Sequence, residues 1–417
     1  MKSKLKNSRQ KNNQCSFPNK AKTVFRQMVF FLFCFFLPTQ LGRHFFLSFS
    51  YLSGIRIDYL APTLYLTDIL AFLLILLYCK DVSSAFRKRF VWIVFTLLCL
   101  NFVFALSKPL FMYRLIKYIQ WFSVFIIFRK HFFTYKKFII AGLIASVIVQ
   151  VPLVIGQLTL KRSLQGVWYL LGERYMTLST PGIAKASLTG TEILRPYGTF
   201  SHPNSMAGFF LVLYIFFLTM FSKKQSLGSS LLLILCSFLV FFSFSKFALA
   251  VFVLLTIAWY IKKQELTCRI CTLARIITPL FLAGIFFTAQ TDPQSIQKRI
   301  TLIGQSVLIL SRHLLTGVGM GSYLIAQHRF PIPYPYFFLQ PVHNIYLLFA
   351  SEAGIILMCI FAYRFFFFIR SNMKNTAFVF VILAILLTGL NDHYWLTLQQ
   401  NFLLMATVLG IVLYNKV

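Results

Sequence analysis

Apolar runs of roughly 16–22 residues recur from one end of the chain to the other, parted by short polar or basic segments. Backbone groups in lipid find no water, so a run that crosses a membrane must satisfy its own N–H and C=O groups and becomes a helix. The balance of residues agrees. Only 12% of the 417 residues are charged and 58% are hydrophobic, with 50 Phe, a charged share about half that of a soluble domain. Spans are expected at roughly 24–39, 61–79, 90–107, 110–128, 138–160, 205–221, 229–245, 247–261, 270–288, 344–363, 376–391 and 399–414, about twelve in all. The fold class is therefore all-α, a polytopic integral membrane protein. Residues 1–23 form a basic cytoplasmic tail and 24–417 a single membrane domain. The basic start followed by an apolar run has the outline of a signal peptide, but no small-residue cleavage site follows, so the run is taken as the first span.

A formal charge of +32 would point to nucleic acid in a soluble protein. Here Lys and Arg collect in alternate loops, and the chain has no RNP-like, zinc-finger or P-loop string, so nucleic acid is not an expected partner. The eight Cys are scattered without CxxC spacing, most of them inside apolar runs (Cys34, Cys79, Cys99, Cys236, Cys359), which suits packing.

The positive-inside rule assigns the sides. The tail (Lys2, Lys4, Lys6, Arg9, Lys11, Lys20, Lys22), the 80–89 turn (Lys80, Arg87, Lys88, Arg89) and the 129–137 turn (Arg129, Lys130, Lys136, Lys137) fall on one face. So do Lys223 and Lys224, then Lys262, Lys263 and Arg269, then Arg364, Arg370 and Lys374. Both termini are thus expected in the cytoplasm. The opposite face carries the longer segments, about 40–60, 161–204 and 289–343, and most of the few acids: Asp58, Asp68, Glu173, Glu192, Asp292, Glu352 and Asp392. Long loops are where function concentrates.

Five strings in or beside those loops carry chemistry. In "RPYGTFSHPNSMAGFF" (195–210) Asn204 and Ser205 are candidate caps for the helix that begins there. Arg195 and His202 stand beside a helix N-terminus that favours an anion; the plainer reading is a capped loop-to-helix junction. In the third loop, Ile300, Ile303, Val307, Leu310 and Leu314 follow helical spacing after Arg299 and predict an amphipathic helix over 296–315. "TGVGMGSY" after it has the look of a phosphate-cradling Gly string, but it follows a helix rather than a strand and fits a turn better. "QPVHNIYLLFASEAG" places His343 and Asn344 at the mouth of a span; a His there is a natural general base, or alternatively a cap. Lys246 in "SFSKFALA" is a lone cation among apolar residues, a functional site or a snorkelling side chain. "LNDHYWLTLQQNF" offers Asp392 and His393 as a pair, with Tyr394 and Trp395 suited to the interface.

Together these strings resemble the O-antigen ligase and O-antigen polymerase superfamily of polytopic glycosyltransferases, most specifically in His343–Asn344 with Gly354 following. The chain departs from that pattern at Lys246, where the family usually has Arg, and at Leu357, where a small or aromatic residue is common. The resemblance implies a GT-C-like membrane fold. It also implies transfer of a glycan from an undecaprenyl-diphosphate carrier to a glycan or glycolipid acceptor, on the external face of the cytoplasmic membrane. By position, His343 would be the base, with Lys246 and Arg299 holding the diphosphate. Arg195, His202, Asn344, Asp392 and His393 are expected to bind substrate. A Lys meets phosphate as a point charge without the bidentate fork of Arg.

The chain has no Asp-x-Asp string and no His/Cys/carboxylate cluster in sequence, so the expectation is a metal-independent inverting displacement with no cofactor. Two other readings compete. One is a different polyprenyl-sugar glycosyltransferase with Asp58 as an acidic base. The other is a lipid-linked oligosaccharide transporter, supported by Arg114 and Lys117, which snorkelling from the external end of a span explains equally.

Overall fold

The computed structural model describes residues 17–188, 190–221, 226–263, 295–330 and 339–414, together with 277, 280, 283–284 and 286–288. The tail before residue 17, Lys223, Lys224, Arg269, Asp292, most of the span expected at 270–288 and residues 331–338 of the third loop lie outside the described residues.

The chain is mostly helical. The helices run α1 (Phe17–Phe36), α2 (Leu66–Leu77), α3 (Cys79–Phe86), α4 (Arg89–Phe104), α5 (Lys108–Leu160), α6 (Val167–Leu170), α7 (Pro203–Met220) and α8 (Leu227–Phe241). They continue with α9 (Lys246–Lys263), α10 (Ser295–Arg312), α11 (Tyr323–Gln327), α12 (Ile345–Asn372), α13 (Thr376–Gly389), α14 (Tyr394–Thr397) and α15 (Gln399–Val412). Among the described residues, α5, α7 and α12 are long and apolar enough to cross a bilayer, and α2 with α3, bent by 84° between them, makes a fourth if counted as one. Val91–Phe104, Leu227–Phe241, Thr376–Gly389 and Gln399–Val412 are shorter apolar helices.

This departs from twelve separate spans in a physical way. The expected turn at 129–137 contains neither Gly nor Pro, so helix continues through it and only Tyr135 (φ −113, ψ 16) leaves helical geometry. A straight helix of 53 residues would measure roughly 80 Å. Yet Tyr113 and Lys117 near its start line the same cavity as Glu173, which Gln157 near its end contacts at 2.8 Å. The element therefore doubles back about Tyr135. At that bend Asp81 of α3 accepts from Lys130 at 3.0 Å and lies 2.9 Å from His131, so the basic 80–89 and 129–137 segments share one end of the molecule.

The expectation of an all-α chain is also amended, because the loops fold into small antiparallel ribbons. Gly42–His44 pairs with Thr63–Tyr65, Tyr51–Leu52 with Ile55–Arg56, and Lys185–Leu188 with Thr191–Leu194.

The core gathers around α7, where sixteen of eighteen residues are buried. A helix apolar on every side belongs in the middle of a bundle, and α7 packs on α8, α9, α13 and α15. Gly208 lets Tyr394 close on the first turns of α7, since a Cβ there would sit 2.3 Å from the Tyr394 hydroxyl. Tyr394 and Trp395, expected at the interface, are buried instead, with the Trp395 indole donating to Thr388 Oγ1 at 2.8 Å. Helix α10 covers most of the expected 296–315, with its apolar stripe turned outward. Ile296, Ile300, Ile303 and Val307 are exposed, whereas Gln305 and Ser306 are buried against Gln327 and Ser351. An apolar outer face suits contact with lipid.

"TGVGMGSY" proves to be a seam within the fold. Its segment threads a break in α12 at Gly354 (φ 77, ψ 166). Val318 N–H donates to Ser351 O, Gly319 N–H to Glu352 O and Ile355 N–H to Leu314 O, all at 2.8–2.9 Å. Asn101 clamps both sides, its amide donating to Thr316 O and Glu352 O. Cβ atoms at Gly317 and Gly354 would fall 2.4 and 2.3 Å from carbonyl oxygens across the seam. The glycines are there for backbone approach.

Candidate functional site

The turn between α13 and α14 brings Asp392 and His393 to one end of the bundle, and the segment before α12 brings His343 to the same place. His343 Nδ1 lies 3.5 Å from Asp392 Oδ1, and the two imidazole rings of His343 and His393 are 5.0 Å apart. Asp392 is held from two sides: its Oδ1 accepts from the His393 backbone N–H at 2.8 Å and its Oδ2 from Asn204 Nδ2 at 3.0 Å. Asn204 is in turn fixed by Arg195, whose Nη2 donates to Asn204 Oδ1 at 2.7 Å while its Nε donates to Ser243 O at 3.0 Å. A line of contacts thus runs Arg195–Asn204–Asp392–His343 through residues 197 positions apart, from 195 to 392.

The charges follow from this enclosure. Desolvation works to raise the Asp392 carboxyl, but His343, His393 and His202 around it prevail and hold it well below the usual carboxylate range. Desolvation takes His393 down to about 3, with Asp392 opposing and His343, Arg114 and Arg299 reinforcing. His202 falls to about 3 through desolvation and the neighbouring Arg195 charge. Its ring has a further reason to be neutral, because Nδ1 accepts from the Asn204 backbone N–H at 3.1 Å and so caps α7. Arg195, desolvated, is lowered to about 10 and is still a cation at neutral pH. Ser205, an expected cap, instead donates to Asn401 of α15 at 2.5 Å.

The other sequence candidates arrive at the same end. Arg299 of α10 donates to Asn391 Oδ1 at 2.6 Å and Asn391 O at 3.2 Å, one residue before Asp392. Lys246 opens α9, three residues beyond the Ser243 that Arg195 grips, and is half-buried with no ion-pair partner among the described residues. Asn344 caps α12, accepting from Tyr346 and Leu347 N–H, and its Nδ2 donates to Leu390 O at 3.0 Å. His343 keeps 19% of its side chain exposed while its Nδ1 is buried toward Asp392. Ligand atoms of His343, Asp392 and His393 lie within 4.8 Å of one another, a set whose chemistry suits a divalent transition metal. Sequence spacing concealed this cluster, since its members come from two distant segments.

Beside the cluster opens a cavity of about 460 Å³. It is walled by the ribbon of Gly42–His44 and Thr63–Tyr65, the start of α5, the Gly172–Arg174 turn and the α14–α15 junction. The Tyr59 ring on its wall meets His393 edge-on at 5.7 Å. Asp58 also lines it but is 56% exposed and paired with Arg56 at 3.3 Å. Sequence reasoning took Arg114 and Lys117 as support for a transporter or as side chains snorkelling at the external end of a span. Lys117 does not snorkel: it is buried and bonded to both oxygens of Asp68 at 2.6 and 2.7 Å. Arg114 lines the cavity and reaches Leu396 O at 3.5 Å. The available signal was two opposite charges in separate apolar runs, which inside a membrane are expected to pair.

Residues 199–362 match the family model described as O-antigen ligase. The matched stretch holds His202, Asn204, Lys246, Arg299, His343 and Asn344, whereas Arg195, Asp392 and His393 flank it. A search of curated proteins finds no match to the chain.

Proposed function

Residues 199–362 match the O-antigen ligase family model, and from that premise we propose that the chain is a member of the O-antigen ligase and polymerase superfamily that moves a glycan from undecaprenyl diphosphate to an acceptor sugar hydroxyl. The observation that carries this reading is the His343–Asp392 pair, 3.5 Å apart, at the mouth of α12 with cations on either side. With Nδ1 toward a carboxylate, Nε2 is the nitrogen left to act. It takes the proton of the acceptor hydroxyl; the oxygen attacks the anomeric carbon from the face opposite the diphosphate. The C–O bond to the diphosphate breaks, and the lipid diphosphate leaves with the bonding electrons. Asp392 compensates the imidazolium that forms. Lys246 and Arg299 receive the leaving anion. Arg195, His202, Asn344 and His393 act on this scheme by holding Asn204, Asp392 and His343 in place. The site lies on the external face of the cytoplasmic membrane, in a single polytopic domain of about twelve spans with both termini inside.

The test is reconstitution in proteoliposomes with an undecaprenyl-diphosphate oligosaccharide and candidate acceptors. A product ladder means polymerisation and a single addition means ligation. His343→Ala is expected to slow transfer by about 10²-fold or more; unchanged transfer would overturn the assignment.

A second reading rests on the clustered ligand atoms of His343, Asp392 and His393. A divalent metal there would polarise the acceptor hydroxyl. Both Asp392 oxygens are already engaged by Asn204 and His393, which favours the base. Transfer that survives a chelator supports the base; transfer lost to it and restored by Zn²⁺ or Mn²⁺ supports the metal.

A further inference from the structure

The 460 Å³ cavity next to His393 lies in the range of about 300–1,000 Å³ typical of small-molecule sites. Five tyrosines line it, among them Tyr59, Tyr65 and Tyr113, so its wall alternates ring faces with hydroxyls. That mixture matches a sugar, which has apolar C–H faces and polar hydroxyl edges. The charges are uneven as well. Lys117 is satisfied by Asp68, Arg56 by Asp58, and Glu173 by Gln157 and the Leu164 and Gln165 backbone. Arg114 and Arg174 line the cavity too, and neither has a carboxylate in ion-pair contact among the described residues. Arg114 is half-buried and, though the more distant Glu352 acts on it, keeps a guanidinium free of any contact ion pair among the described residues, where an anion would be well bound. The cavity is separate from the approach used by Lys246 and Arg299. Arg299 meets the Asp392 turn from α10, Lys246 opens α9, and neither lines the cavity.

We infer that this cavity seats an anionic saccharide, a sugar bearing phosphate or carboxylate, and that Arg114 and Arg174 bind its charge. The assignment of that saccharide to the acceptor rests on the transfer reading above, since the cavity opens beside His393 while the donor's diphosphate is given to Lys246 and Arg299, which do not line it. The binding itself does not depend on that reading.

The experiment uses the full chain in nanodiscs and ³¹P NMR line broadening of two probes, glucose 6-phosphate and inorganic diphosphate. Wild type is expected to bind glucose 6-phosphate, and glucose at equal concentration is expected not to displace it. Arg114→Gln and Arg174→Gln should each weaken it about tenfold, and Arg114→Lys should retain most of it. Arg174 is exposed, so its variant tests the idea without risk to folding. Neither Gln variant should alter diphosphate binding. Absent binding to wild type, or equal binding by wild type and both Gln variants, overturns the inference. Equal loss of diphosphate and glucose 6-phosphate overturns it too and gives the cavity to the donor. His343→Ala should still bind glucose 6-phosphate, so failure of the transfer reading shows in the transfer assay and failure of this one in the spectra.

Discussion

His393 and His202 make the site sensitive to acid. Both are ordinarily near 6.5 and are brought to about 3 in the fold, chiefly by desolvation. Between those values the unfolded chain binds the proton and the folded chain does not, so stability rises with pH through the window. It is complete above about 6.5 and is lost as pH falls toward 3. Asp392 has the opposite starting point but the same sense. Its depressed pKa contributes stability that is present above about 3.9, the unfolded value, and lost only below it. Thermal unfolding in detergent should therefore shift to lower temperature from pH 7 to pH 4, and His393→Gln should flatten that dependence. An equally steep dependence in the variant would mean that His393 is not held neutral. At this scale the sequence was half informative. Residue type marked His343, Asp392, His393 and Arg299, because a titratable group at a span's mouth is costly without a role. Asn204 was read only as a cap and Asn391 escaped notice, since a neutral amide advertises nothing until its partners are known.

Helices and the seams between them carry the second scale. Gly354 and Gly317 face each other across backbone, both with φ above +60°, at a seam inside α12. Gly354→Ala forces a Cβ to 2.3 Å from Leu315 O and into a conformation that costs about 1–3 kcal/mol by itself. The expected outcome is a clear fall in the thermal midpoint and in the yield of folded protein, with Arg174→Gln, at an exposed position, as the unaffected control. Asp68 and Lys117 join α2 to α5 at 2.6 Å with side chains only 10% and 9% exposed. Removing one partner strands a buried charge and should cost about 3–5 kcal/mol. The double variant Asp68→Leu/Lys117→Met should recover much of that loss, and unfolding midpoints for the four members of the cycle decide it. Strictly additive losses would show that the pair is not coupled. Element identity was legible from apolar run length, but the fusion of two spans into α5 was not. The basic 129–137 stretch looks like a turn by charge, yet it contains no residue that breaks a helix.

For the whole molecule the question is sidedness. The cavity rim at Arg56 and Arg174 lies at the end opposite the Asp81–Lys130 cluster, because α5 runs from one to the other and back. In a cysteine-free background, Arg174→Cys should react with a membrane-impermeant maleimide in intact cells, and Lys130→Cys only after permeabilisation. The reverse pattern would invert the proposed topology.

By itself the sequence determined that the chain is a helical membrane protein, which loops are basic, and which residue types stand at the mouths of spans. Those are properties of single segments: transfer of a run into lipid depends on that run's own side chains and backbone, whichever neighbour it meets. Tertiary structure alone decided that Arg195, Asn204, Asp392 and His343 touch in series, that Lys117 pairs with Asp68, and that the Gly string is a seam rather than a phosphate cradle. It also set a tyrosine-walled cavity beside His393. Each of these depends on which helices pack together across long stretches of chain, and contacts between distant segments leave no periodic trace in either one.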